Sequence, residues 1–313
     1  MRRIALALAA ALALSEGDAQ LIVQVPCADL AKMDCIASSW KPAAPKKQRK
    51  ALVFCRCEGF PHNNAISYAL RAFDTVSKKT GAFTFDTTTD YRYMNAKTFA
   101  NYDAVVLLNC THPDTERHKN FEKDLVEYVK GGKGLCVIHA GCDGFLKAPQ
   151  AADMIGGQFV SHPWVFGGTW SFANEEPGHP VNRAFAGEGN PFTRVEEVYQ
   201  HTSPPFDRAK SRVLLSLDMK DPATAKRFEE HNKGYKRADG DFAVSWVKRY
   251  GAGRVFYTTF GHEANTFVDP GRLTHILDAL QYALGDLEVP DEPRKQDRGI
   301  GEAKEAKGAN GAD

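Results

Sequence analysis

Along the first half of the chain, unbroken apolar runs alternate with stretches of helical spacing. Residues 51–55 form a short apolar run suited to a buried strand, and residues 64–79 place Ile66, Leu70, Phe73 and Val76 on one helical face. Residues 83–89 are rich in strand formers. Ala104, Val105, Val106, Leu107 and Leu108 make a second buried strand. A helix is expected over 115–130, closed by Gly131 and Gly132, and residues 134–139 give the next strand. The second half changes character. Residues 167–173, 194–200 and 212–219 read as strands joined by loops rich in proline and glycine. Residues 241–250 and 253–260 read as two more strands joined at Gly251, and a last helix covers 272–284, stopped by Gly285. The alternation predicts an α/β fold, a mainly parallel sheet with helices on both faces, carrying β-rich insertions in the middle of the chain.

The flanks look different. Residues 20–49 end in Pro42-Ala43-Ala44-Pro45-Lys46-Lys47 and read as a linker, so the domain is expected over 50–286. Residues 287–313 are charged, poor in large apolar side chains and expected to be a disordered tail. At the other end, Arg2 and Arg3 precede an uncharged apolar run over 4–14, and Gly17 and Ala19 follow with peptidase-site spacing. Residues 1–19 are thus read as a signal peptide, and the protein as exported to the periplasm or beyond; a later start would leave it cytoplasmic. The run is too short for a membrane span.

Composition narrows the function classes. With 43% hydrophobic residues in 313, the chain can bury a sizeable core, and its net charge of +1 gives no field to attract nucleic acid. Seven cysteines leave at least one unpaired thiol; Cys27 and Cys35 could pair, and the other five lie on strands or strand ends as small buried hydrophobes. No C-x-x-C spacing suggests a zinc knuckle.

Ligands of open parallel sheets bind beyond the carboxyl ends of the strands, and histidines collect there. Glu58 and His62 follow the first strand, His112 follows the 104–108 strand, His139 ends the 134–139 strand with Asp143 nearby, and His262 and Glu263 follow the last strand. Each histidine alone is an ordinary loop residue; their coincidence across separate strands is the signal. His139 is followed by Ala140-Gly141, which permits a tight elbow projecting its side chain into a site.

These residues resemble the ThuA-like (trehalose-utilisation) family. The blocks are Glu58-Gly59-Phe60-Pro61-His62; Gly131 to Leu135 leading to Ile138-His139-Ala140 and Asp143; Ile155-Gly156-Gly157-Gln158-Phe159 with His162-Pro163; His179-Pro180-Val181; Glu196-Glu197-Val198-Tyr199; Asp241 to Trp246; Tyr250 to Tyr257; and Gly261-His262. The resemblance covers about residues 50–286. It implies a flavodoxin-like sheet similar to class I glutamine amidotransferases. Those enzymes carry cysteine at the elbow where His139 stands, so glutaminase activity is not expected. The implied biology is saccharide catabolism on trehalose-like disaccharides, through 3-keto sugars made by partner dehydrogenases.

The expected enzyme acts on a glycoside or 3-keto sugar, as a hydrolase, lyase or isomerase. His139, His62, Glu58 and Asp143 are the candidate catalytic residues. His162, Trp164, Glu197, Tyr199 and Trp246 are the candidate substrate contacts, and Trp170 is a further aromatic that could stack on a sugar. One reading places a divalent ion (Zn, Fe or Ni) on His62, His139 and His262, contributed by neighbouring strand tips; its rival is a metal-free cluster moving protons. No nucleotide cofactor is predicted. The alternative to an enzyme is a non-catalytic saccharide-binding module.

Overall fold

The computed structural model describes residues 23–231, 237 and 239–294. The expected signal segment, residues 1–19, lies outside the described residues. The strands, in chain order, are β1 Lys50–Phe54, β2 Thr84–Thr88, β3 Ala104–Leu108, β4 Gly134–Ile138, β5 Phe159–Trp164, β6 Thr169–Asn174, β7 Phe192–Val195, β8 Val198–His201, β9 Arg212–Leu217, β10 Ala243–Tyr250 and β11 Gly253–Thr258. The helices are α1 Cys27–Ser39, α2 Asn63–Thr80, α3 Ala96–Phe99, α4 Lys119–Lys130, α5 Pro149–Ile155, α6 Pro222–His231 and α7 Pro270–Leu284. None of the described helices is long and apolar enough to cross a membrane.

One sheet runs β2-β1-β3-β4-β11-β10-β9-β6-β7, and β5 pairs with β8 in a separate two-stranded ribbon. The strands from β2 through β11 are parallel, in the order of a flavodoxin-like sheet; from β11 outward every pairing is antiparallel. The inner parallel strands β1, β3 and β4 are buried on both faces, which is why their sequences are continuous apolar runs, whereas β2, at the edge of the sheet, is polar and half-buried. Alternate residues face opposite cores: Val53, Val106 and Ile138 pack with Ile66, Phe73 and Ile276, whereas Leu52, Val105 and Val137 pack with Phe121, Leu125 and Met154.

Four expectations need correction. The segment read as a linker contains α1, whose Met33, Ile36 and Ala37 recur at helical spacing and are buried, followed by buried Trp40 donating its indole N–H to Asp278 at 2.8 Å. Cys27 and Cys35 lie eight positions apart on that one helix, about 12 Å along its axis, out of disulfide reach, and both are free and exposed. Residues 287–294 of the expected tail fold back on the domain: Leu287 and Val289 pack on the core, and Asp291 accepts from Tyr282 at 2.9 Å and pairs with Arg249 at 2.5 Å. The rest of the tail lies outside the described residues. Finally, the single strand expected over 194–200 is two strands in different sheets. The break falls at Glu196-Glu197, where the Glu196 side chain turns inward and is completely buried.

Candidate functional site

The carboxyl ends of β1, β4 and β11 bring three imidazoles together. His62 caps the start of α2, His139 directly follows β4, and His262 lies just past β11. Their ring centroids are 5.2 Å (His62–His139), 5.1 Å (His62–His262) and 5.3 Å (His139–His262) apart, each pair close to edge-on. One ligand atom from each lies within 4.8 Å of the other two. The tips are not all neighbours, as the spacing argument supposed: β3 lies between β1 and β4. Its end contributes Asn109 instead, whose amide donates to the Gly261 carbonyl at 3.0 Å and accepts from the Ala140 N–H at 3.3 Å. Asn109 thereby ties the turns that carry His139 and His262.

Close backbone approach fixes the elbow. His139 has φ 49°, as Asn109 has φ 52° and His112 φ 49°, so three non-glycine residues at the ends of β3 and β4 are left-handed. Such a conformation costs about 1–3 kcal/mol each and persists where the surroundings dictate it. Here a Cβ on Gly141 would stand 2.4 Å from the Leu107 carbonyl oxygen, and one on Gly261, at φ 131°, 2.7 Å from Ile138. Glycine at both positions lets the two turns close on each other.

The His139 ring is wholly buried, and its Nδ1 lies 2.6 Å from the Thr259 carbonyl oxygen. A carbonyl only accepts, so Nδ1 carries the proton and Nε2 presents its lone pair. That Nε2 has no hydrogen-bond partner among the described residues, and neither do Nδ1 of His62 and Nδ1 of His262. Burial, reinforced by the neighbouring imidazoles, pushes His139 well below the ordinary histidine range. Burial and His262 push His62 down to about 3, and burial lowers His262 as well. All three rings are therefore neutral near pH 7.

A carboxyl group faces them from the antiparallel half. Glu197 Oε1 is 3.7 Å from His139 Nε2 and 3.8 Å from His262 Nε2, while its Oε2 is 3.4 Å from Nδ1 of His162, on β5. Burial pushes Glu197 up to about 8, against the Phe166 N–H that donates to it and with Glu196 and Glu263 adding to the rise. Glu196 holds the scaffold from below. It accepts from Thr266 Oγ1 at 2.6 Å and from the N–H groups of Gly261 and Glu263, both at 3.3 Å, and pairs with Arg272 at 3.2 Å. Those contacts bracket the His262 turn. Tyr199 lies over His139 with centroids 4.2 Å apart.

Of the residues singled out in the sequence, His62, His139, His262, His162, Glu197 and Tyr199 lie together. Asp143 does not touch the three rings; it sits beside His112, 3.7 Å away. Glu58 pairs with Arg56 at 2.9 Å. Trp164 and Trp246 are fully buried, donating their indole N–H groups to Thr224 and Ile155 carbonyls, both at 2.9 Å, and Trp170 donates to Glu196. These indoles are core and cannot stack on a sugar. The exposed aromatics at the site are Phe60 and Phe166, neither proposed as a contact from sequence; no periodic signal marks a phenylalanine in a loop.

The family model described as trehalose utilisation, ThuA, matches residues 50–283. Two solved structures share the fold. A putative ThuA-like protein from Bacteroides uniformis is 23% identical with a TM-score of 0.59, covering 78% of this chain and 95% of its own. Another from Parabacteroides merdae is 17% identical with a TM-score of 0.52, covering 76% and 91%. No curated protein matches the chain. The ordered motif blocks, the parallel sheet in flavodoxin-like order and a match over most of its length agree, and the chain belongs to the ThuA family.

Proposed function

We propose that this protein is a saccharide-processing enzyme in which His62, His139 and His262 hold one divalent metal ion and Glu197 transfers protons beside it. Family membership supports the saccharide-related role. The carrying observation for the site is a set of three imidazoles with one ligand nitrogen of each within 4.8 Å of the other two, each ring also keeping a buried nitrogen without a partner among the described residues.

The donor set fits an ion in chemical type. Neutral imidazole suits Zn, Fe or Ni, and a metal-ligating histidine characteristically donates its other ring N–H to a carbonyl, as His139 does to Thr259. The three rings would hold such an ion through one nitrogen each, those atoms lying within 4.8 Å of one another. When bound, such an ion supplies Lewis-acid polarisation of a sugar oxygen. The chain's own residues do the rest. Glu197 is poised to give or take a proton at the face of His139 and His262, and His162 on its far oxygen links it to the more exposed rim. Glu196, through Gly261, Glu263 and Thr266, keeps the His262 ring aimed at the centre. The substrate class is a trehalose-like disaccharide or its 3-keto form, the latter delivered by a sugar dehydrogenase.

The test incubates purified protein with trehalose and with 3-keto-trehalose and follows products by mass spectrometry, before and after chelation and with single-ion add-back. Turnover lost on chelation and restored by one ion is expected. Full turnover by metal-free protein overturns the metal, and saccharide binding without turnover under every condition makes the protein a binding module.

A further inference from the structure

Among the described residues, the two most exposed large hydrophobic side chains are Phe60, at 61%, and Phe166, at 63%. They come from loops more than a hundred positions apart in sequence, yet both lie against the same imidazole. Phe60 is 5.9 Å from the His262 ring with an interplanar angle of 23°, and Phe166 is 5.6 Å from it at 13°. Phe60 also meets His62 edge-on at 4.9 Å. Two phenyl rings thus flank the rim of the histidine cluster and turn much of their surface to water.

Both are held rather than loose. The Phe60 carbonyl accepts from Thr111 Oγ1 at 2.6 Å, and the N–H groups of Glu58 and Gly59 donate to the Thr111 carbonyl at 2.9 and 3.3 Å. On the other side, the Phe166 N–H donates to Glu197, and the Gly167 N–H donates to Glu263 at 3.0 Å. An exposed phenylalanine contributes little to folding, so tethering two of them beside a polar floor serves a ligand better than it serves the core. The ligand must be apolar on one face and rich in hydroxyls at its edge, because the rings lie against the polar imidazoles of His62 and His262 rather than joined into one apolar patch. A pyranose has this character: axial C–H groups on a face, hydroxyls around the rim.

We propose that Phe60 and Phe166 form a stacking subsite for the second sugar ring of a disaccharide, the first ring resting at the mouth of the histidine cluster, a polar floor where His262 and His162 reach the surface beside Glu197. This rests on the saccharide reading of the site and adds to it a two-ring requirement. The floor recognises a single ring by its hydroxyls; the phenyl pair recognises the ring beyond it.

The experiment measures binding of trehalose and of glucose to the metal-loaded full chain by calorimetry, for the wild type, Phe60→Ala, Phe166→Ala and the double variant. Each single substitution should weaken trehalose about three- to tenfold, with a larger loss in the double variant, and leave glucose within about twofold. Phe166→Trp, which keeps a ring, should restore trehalose binding. Melting temperature and metal stoichiometry should be unchanged, since neither ring is buried. Trehalose bound equally by wild type and the double variant overturns the subsite and leaves the saccharide site standing. Equal loss of trehalose and glucose also overturns it, by placing the rings on the first sugar. Metal-loaded wild type that binds neither sugar overturns the subsite together with the saccharide reading beneath it.

Discussion

His139 and His275 are both completely buried and both neutral, yet they sit in opposite circumstances. His275, on α7, has both ring nitrogens engaged, one 2.8 Å from Ser245 Oγ and the other 2.9 Å from the Val181 carbonyl oxygen. Its backbone is helical and its neighbours are Phe185, Phe256 and Phe260. His139 sits on a left-handed backbone with one nitrogen engaged and the other unpartnered among the described residues, facing two more imidazoles and a carboxylate. A buried polar atom without a partner is a cost that a stable core avoids. The difference separates a histidine whose two nitrogens fasten the fold from one that turns an unpartnered nitrogen toward a cluster of polar side chains.

The largest expected effect comes from His139→Asn, chosen because asparagine tolerates the left-handed backbone. Turnover should fall roughly 100- to 10,000-fold, while the melting temperature stays within a few degrees; a variant that unfolds but keeps activity in its folded fraction makes His139 structural. His275→Leu should do the reverse. It strands the Ser245 hydroxyl and Val181 carbonyl, and denaturant melts should show about 2–4 kcal/mol lost, with turnover per folded molecule unchanged. If turnover collapses while stability holds, the division of roles fails.

Glu196→Gln tests the scaffold under His262. Removing the charge that faces Arg272 and weakening the contacts to Gly261 and Glu263 should lower turnover or ion affinity about 10- to 100-fold. Glu196 touches no predicted ligand ring, so an unchanged rate would show that the His262 turn holds itself.

The smallest effect is a pH dependence. Burial pushes His275 down to about 4, the Val181 carbonyl pulling the other way, whereas its unfolded imidazole titrates near 6.5. Between those values the unfolded state binds more protons, so stability is full above about pH 6.5 and declines as pH falls toward 4, by up to about 1.4 kcal/mol per unit. His201, pushed down to about 3 by burial and Arg237, adds to the same decline. Urea melts of wild type and His275→Leu across this range should differ in slope; parallel curves would contradict the assignment.

Much of the parallel half was legible because its strands are buried on both faces, so burial writes itself as the unbroken runs of β1, β3 and β4, and a strand end names the residue that follows it. His139 and His262 stand beyond such ends. The antiparallel half was less so. Glu196 and Glu197 look like mid-strand residues until the inward turn of one aims the other across the sheet at His139. Trp164 and Trp246 read as sugar platforms from residue type, but their indole N–H groups are taken up by core carbonyls. The helix α1 hid because Pro42 and Pro45 dominate its flank, although Met33, Ile36 and Ala37 already carried helical spacing. Phe60 and Phe166 could not be paired from sequence, because only the fold brings their loops to one imidazole.

The central claim is that three strand-end imidazoles hold one ion, and stoichiometry tests it most directly. Metal-depleted wild type and the single variants His62→Ala, His139→Asn and His262→Ala are titrated with Zn(II) in a calorimeter, and the loaded proteins are then dialysed and assayed for bound metal. The account predicts one tightly held ion per wild-type chain and its loss in each variant, with all four proteins folded. Wild type that retains no ion, or variants that retain it as tightly as wild type, would contradict it.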